Sequence, residues 1–275
     1  MATVRVVRPL PRFFYTPFAR GAWKIIAYLL PFAVVVGIWQ LAASSGRFTI
    51  NQVPPPASVA EVLRDYTLDG TLPMHILHSL GRLALGVLAG CGMGIAFGVL
   101  LGLKRGFAEF VEPLVTFLNA LSGIAWIPLA IVWFGIGPGA VTFILWNSIF
   151  FLVLFNTLLG VLSVPRIYVN AVLTMGGTQM RVIRDVLLPG AMPNMMLGIR
   201  MGIGFGWRGL IAAEMIGATS GLGFFIYNAS YYLRSDAIMA GVIVIGVLWL
   251  LTDRLFLVPL ERLTVERWGM IRRME

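Results

Sequence analysis

Arg208 and Glu214 stand six residues apart in an apolar run, and few other side chains of this chain are equipped for chemistry. A charge at membrane depth costs about 2.5–3.5 kcal/mol or more, so Arg208 must face a protein or aqueous interior. Six residues is a poor helical spacing for a direct pair, which predicts a partner for Arg208 other than Glu214. A transported anion, a structural acid, or internal water reached by snorkelling would each serve. The rest of the inventory is thin. His75 and His78 belong to no metal-ligand motif and are expected where a helix meets the outer interface. Cys91 is the lone cysteine, which excludes a disulfide framework and a cysteine metal site. Glu214, Asp253 and scattered hydroxyls make no facing catalytic array. Lys24 precedes Ile25 and Lys104 precedes Arg105, so no Gly-Lys-Ser or Gly-Lys-Thr phosphate loop exists. The expectation is a chain that is neither an enzyme nor an ATPase and binds no cofactor or metal of its own.

Something must carry these residues through a very apolar sequence. Of 275 residues, 59% are hydrophobic and 12% charged, and mean hydropathy is +0.88. A soluble domain could not hide that surface, so the chain reads as an all-α polytopic membrane protein. Net charge is +9 and the pI about 10.4. Basic loops on one side of a membrane account for that better than nucleic acid does.

Six stretches reach the roughly 20 residues a membrane helix needs: Ala22–Ala43, Ser79–Leu103, Val111–Phe134, Ala140–Leu162, Asn194–Ile216 and Ala237–Leu257. Arg5, Arg8, Arg12, Arg20 and Lys24, then Lys104 and Arg105, then Arg166, Arg181 and Arg184, and finally Arg254, Arg262, Arg267, Arg272 and Arg273 fall on one side if both termini are cytoplasmic. Arg47, Arg64 and Arg234 remain outside, with Arg82 near the outer end of the second span. The positive-inside rule therefore sets both termini in the cytoplasm. The domain reading is a basic tail at 1–21, lying beside the anionic inner leaflet, a membrane domain at 22–257, and a C-terminal tail at 258–275. The first span is too long for a cleaved signal peptide.

Gly86, Gly90, Gly94, Gly98 and Gly102 recur every four residues in the second span, and Gly198, Gly202 and Gly206 repeat the pattern in the fifth. Such ladders let helix backbones approach closely. "ALSGIAWIPLAIVWFGIGPGA" predicts a third span loosened at Ser122–Gly123 and Pro128 and ended by Gly135–Gly139. A broken helix at membrane depth needs protein or water around it, which points to a translocation path. Arg208, Glu214, Trp126 and Trp207 are its candidate residues. Outside, "VPPPAS" predicts a stiff turn, followed by a short amphipathic helix along the membrane surface, either a connector that ties down the second span or a contact surface. Tyr227, Asn228, Tyr231 and Tyr232 are assigned to an outer loop, as an entrance or an interfacial aromatic belt.

"NAVLTMGGTQMRVIRDVLLPGAMP" is the polar exception between the fourth and fifth spans. Pro165 stops the fourth span, and Arg166–Leu173 predicts a short helix. Gly176–Gly177 permits a turn, and Thr178 caps a second helix reaching Leu188. Pro189 and Pro193 are expected to reset the chain before the fifth span. The segment 165–190 is then a rigid cytoplasmic helix–turn–helix suited to a groove on a soluble partner.

This stretch resembles the coupling motif of binding-protein-dependent ABC importer permeases: EAA, three residues, Gly, nine residues, Ile, one residue, Leu-Pro. The frame falls on Asn170, Ala171, Val172, Gly176, Val186, Leu188 and Pro189 with every spacing kept. Asn170 replaces the usual glutamate, so it can hydrogen-bond but not form a salt bridge; Val172 replaces the second alanine. "VPPPASVAEVL", "SLGRLALG", "AWIPLAIVWFGIG" and "GWRGLIAAEMIGATSGLGFFI" are similar to the nitrate/sulfonate/taurine/bicarbonate type, although "LSGIAWIPL" lacks prolines usual there. The resemblance implies the type I ABC importer permease fold, in the bacterial inner membrane. It further implies a homodimer around a path for a small solute, such as an organic or inorganic anion. The other partners would be an extracytoplasmic substrate-binding protein and two cytoplasmic ATP-binding subunits holding ATP and Mg. Asn170, Ala171, Gly176, Gly177, Thr178, Gln179, Val186, Leu188 and Pro189 would couple to those subunits. The rival is a secondary transporter without an ATPase, for which the sequence offers neither a clear repeat nor paired membrane acids.

Overall fold

The computed structural model describes residues 17–261 and Thr264; the parts of both predicted tails at 1–16, 262–263 and 265–275 lie outside the described residues. Helices joined by short turns make up the architecture, with no strand among the described residues. They are α1 Pro17–Ser44, α2 Pro56–Leu68, α3 Thr71–Leu103, α4 Arg105–Ala120, α5 Ile127–Phe134, α6 Pro138–Ser163, α7 Arg166–Thr174, α8 Gln179–Val182, α9 Leu188–Gly217, α10 Leu222–Tyr231, α11 Ser235–Thr252 and α12 Val258–Glu261.

Four helical stretches are long and apolar enough to cross a membrane: Thr71–Leu103, Pro138–Ser163, Gln179–Gly217 and Ser235–Glu261. A fifth crossing is a bent pair, Gly106–Ala120 and Gly123–Phe134, meeting at 86°. These fall on five of the six stretches read from the sequence; at the first, α1 offers a shorter apolar helix, Leu30–Ser44.

Helix α6 is the centre of the bundle because glycines strip the faces of both neighbours. In a bilayer, helices gain little by leaving lipid, so close van der Waals packing must hold them together. A Cβ on Gly90 would stand 2.8 Å from Ile149 Cβ, and one on Gly94 2.8 Å from Val153 Cβ. Gly86, Gly98 and Gly102 meet Leu145, Thr157 and Val161 in the same register, so one ridge of α6 runs down the groove of α3. From α9, Gly198, Gly202 and Gly206 approach Asn156, Ile149 and the Ile149 side-chain end. Leu145, Ile149 and Val153 are consequently fully buried.

One expectation on the third span is met and several others are corrected. The third span is broken where the sequence placed its weak point: Leu121 and Ser122 are extended, at φ/ψ −78°/121° and −59°/133°. Pro128 causes no break, because it sits in the first turn of α5, where its missing N–H has no helical partner to lose. Pro189 and Pro193 do not interrupt the entry to the fifth span either. Gln179–Gly217 is one helix whose π-turn, Ile183–Leu187, widens the coil just before Pro189 and relieves the clash an α-helix would impose. The amphipathic α2 packs Val59 and Val62 against α10 and α11, with Trp39 Nε1 donating to Pro54 O at 2.8 Å. It lies on protein. Tyr227, Asn228 and Tyr231 lie on helix α10.

Candidate functional site

At the end of the bundle where α3 meets α4, residues 165–190 form a helix–turn–helix knob. Two hydrogen bonds close its turn: Gly177 N–H to Val172 O at 2.9 Å and Gly176 N–H to Leu173 O at 3.0 Å. This is the Schellman ending of a helix, which requires a left-handed residue, and Gly176 supplies it at φ +79°. Gly177 is needed for space, since a Cβ there would lie 2.5 Å from Val172 Cγ1. Thr178 caps the next helix as the sequence indicated, its Oγ1 accepting from Arg181 N–H at 3.4 Å.

One face of the knob is anchored. Val182, Leu187, Ala191 and Met195 pack with Val161 from α6, and Val99, Val172 and Leu188 border them. Elsewhere the knob is open and apolar: Ile167, Tyr168, Leu173, Met175 and Met180 are all exposed. A recess of about 310 Å³ beneath the knob is lined by Asn170, Gln179, Arg166, Val182 and Leu187. A second of about 310 Å³ is lined by Val186, Asp185, Tyr168 and Gly190. Ala171 and Thr178 are exposed, and Pro189 is half-buried. The motif positions thus divide between anchoring the knob and edging its recesses. The exposed apolar side chains are the part that motif reasoning missed. Their signal was present: five large apolar residues in a segment read as polar.

The four candidate path residues occupy different surroundings. Arg208 is exposed, with its guanidinium 5.0 Å from the Phe205 ring centroid and no ion pair among the described residues. Trp126 is half-buried in an aromatic group with Trp133 and Phe143, at centroid distances of 6.2 and 6.3 Å. Trp207 is buried in the main core beside Leu210 and Ile203. Neither indole N–H finds an acceptor among the described residues.

Glu214 has no exposure at all and is surrounded by donors. Arg82 Nη1 reaches its Oε1 at 2.7 Å, and Ser79 Oγ lies 2.9 and 2.8 Å from its two oxygens. Gly223 N–H donates to Oε2 at 3.0 Å. Arg82 also donates to Ser220, to O at 2.6 Å and to Oγ at 2.8 Å. His75 was expected at the interface; instead it is buried and its Nδ1 accepts from Gly221 N–H at 3.0 Å. The group ties α3, α9 and the turn before α10 together at the end of α3 remote from the knob. Gly221, at φ +108°, has no room for a Cβ beside the Glu214 carboxylate. Spacing along the chain could not have found this clamp, although Arg82 was one of the few charges near an apolar span and membrane charges pair. Arg200 is the remaining charge of α9, and it pairs with Asp253 at 2.9 Å and Glu261 at 3.1 Å.

A glycine-packed bundle with one broken span and a rigid knob between two spans is the build of a membrane-embedded transport subunit. The chain belongs to the family of binding-protein-dependent transport system inner membrane components, whose family model matches residues 92–258. It is 33% identical to the taurine transport system permease protein TauC of Escherichia coli, over 80% of this chain and 82% of that protein. It is also 33% identical to the putative aliphatic sulfonates transport permease protein SsuC of Bacillus subtilis, over 85% of this chain and 84% of that protein. The bicarbonate transport system permease protein CmpB of Synechococcus elongatus is 33% identical over 87% of this chain and 90% of its own length. Among solved structures, an inward-facing form of the MetNI methionine ABC transporter matches 69% of this chain and 96% of its own. That match has a TM-score of 0.56 at 22% identity, a likeness of fold.

Proposed function

We propose that this chain is the membrane-spanning subunit of an ABC importer for a small oxyanion, a sulfonate, taurine or bicarbonate. Two copies would enclose the path, and the cytoplasmic knob would dock into a separate ATPase that holds ATP and Mg. A binding protein would deliver the solute outside. Family membership supports the transport role, and relatives named for taurine, aliphatic sulfonates and bicarbonate support the solute class. The observation that carries the coupling role is the knob itself: a turn locked by Gly176 and Gly177, anchored through Val182, Leu187 and Ala191, with several large apolar side chains left exposed. Apolar helix surfaces of that kind are read by grooves. Lys and Arg distribution supports cytoplasmic termini and a cytoplasmic knob.

Within the membrane, Arg208 is the residue through which an anion would be drawn, because the described structure gives it an aromatic neighbour and no carboxylate. Glu214 serves as an anchor, with its oxygens already taken up by Arg82, Ser79 and Gly223.

Right-side-out membrane vesicles carrying the subunit and its partners test this reading. With binding protein added outside, radiolabelled taurine, alkanesulfonate or bicarbonate should accumulate only when hydrolysable ATP is loaded inside. Accumulation driven by an ion gradient alone would favour the secondary-transporter alternative.

A further inference from the structure

The break at Leu121–Ser122 does more than bend the third span. It opens a recess of about 300 Å³ bordered by the end of α4, the middle of α6 and Phe205 of α9. That volume is at the lower bound of small-molecule sites. Asn119, Ser122, Asn147 and Ser148 supply its polar wall, and no carboxylate lines it.

Asn147 is the decisive residue. It is only 6% exposed, yet its side-chain amide makes no hydrogen bond among the described residues. Its polar atoms are not among the fully buried ones left unpaired, so the little exposure it has lies at the amide, which opens onto the recess where a guest can meet it. The glycine at the break brings the chain against it: a Cβ on Gly123 would stand 3.5 Å from Asn147 Oδ1 and would collide with Ser148 Oγ. Ser148 spends its own proton on Ile144 O at 2.9 Å, so Asn119, Ser122 and Asn147 are the donors left to a guest. Phe205 lines the recess and also carries the Arg208 guanidinium, 5.0 Å from its ring centroid. Neutral donors beside one cation, with no acid, match an oxyanion.

The geometry points to this recess as an intramembrane subsite for the oxyanion end of the transported solute. Asn147 is its main donor, and Arg208 is the source of positive potential. The assignment rests on the transport reading for the class of ligand, and its test reads the recess separately from transport.

The test places a single thiol in the recess, Ser122→Cys in a Cys91→Ser background, in the full-length chain purified with its ATPase partners. Two thiol reagents of one reactive group are compared, methanethiosulfonates carrying an ethylsulfonate or an ethyltrimethylammonium. The anionic reagent is expected to gain about tenfold over the cationic one relative to their ratio on a small free thiol, the worth of one charge-assisted hydrogen bond. Asn147→Leu should abolish that gain, and the near-isosteric Asn147→Asp should reverse it. A ratio equal to that of the free thiol, a gain untouched by both Asn147 variants, or a thiol inert to both reagents overturns the subsite. Taurine uptake is measured in parallel. Anion preference without uptake would sink the transport reading and leave the subsite, whereas uptake without preference would do the reverse.

Discussion

Arg82 on α3 and Glu214 on α9 lie 2.7 Å apart, with side chains 10% and 0% exposed. Their contact joins two helices that both pack on α6, and Ser79, Ser220 and Gly223 complete the donors and acceptors around it. A buried charge left without its partner is far costlier than the pair is worth. Arg82→Met or Glu214→Leu alone should therefore destabilise the protein by about 3 kcal/mol, while the double variant recovers much of the loss. Thermal unfolding in detergent checks this. Losses that simply add would mean the two residues do not act as a pair.

The glycine ladder makes a position-specific prediction. Gly94→Val adds bulk where a Cβ already meets Val153 Cβ at 2.8 Å, and overpacking of this kind costs about 1–3 kcal/mol. Gly92 lies between ladder positions with nothing within 4 Å of its added Cβ, so Gly92→Val should be tolerated. Equal melting temperatures for the two variants would contradict the packing described.

Much of this was legible in the sequence, for definite physical reasons. The spans follow from hydropathy, and the four-residue glycine spacing foretold close approach. Thr178 and Gly176 announced their cap and turn through side-chain chemistry and backbone freedom. What was hidden depended on long-range geometry. The partner of Glu214 lies 132 residues away, on another helix, so local spacing could say only that Arg208 was a poor candidate. The π-turn that lets Pro189 continue a helix has no sequence signature of its own. Asn147, an isolated amide in an apolar span, became notable only when Ser122 and Asn119 were seen around the same recess.

At the knob, Gly176 and Gly177 should fail for different reasons. Gly176 needs a left-handed backbone, costing other residues about 1–2 kcal/mol, and asparagine adopts it more readily than valine. Gly176→Asn should keep most transport, and Gly176→Val or Gly176→Trp should lose it while the protein still inserts. Gly177→Val should fail through collision with Val172. Normal uptake by a stable Gly176→Trp variant would refute the coupling role.

Arg208→Ala should cut uptake of an oxyanion at least tenfold, the minimum expected for one lost charge-assisted hydrogen bond, and leave assembly with the ATPase intact. Arg208→Lys should retain part of it, since the positive potential survives without the planar fork. Co-purification separates assembly from uptake. An Arg208→Ala variant importing at the normal rate would remove Arg208 from the path.

The most direct test of the central claim is a photo-crosslinking amino acid at Gln179, on the exposed start of the second knob helix. Irradiation in intact cells, followed by mass spectrometry, should capture a soluble protein with a nucleotide-binding P-loop, crosslinked through residues of its groove. A well-expressed variant that crosslinks only to lipid or to itself would contradict the coupling of this knob to an ATPase.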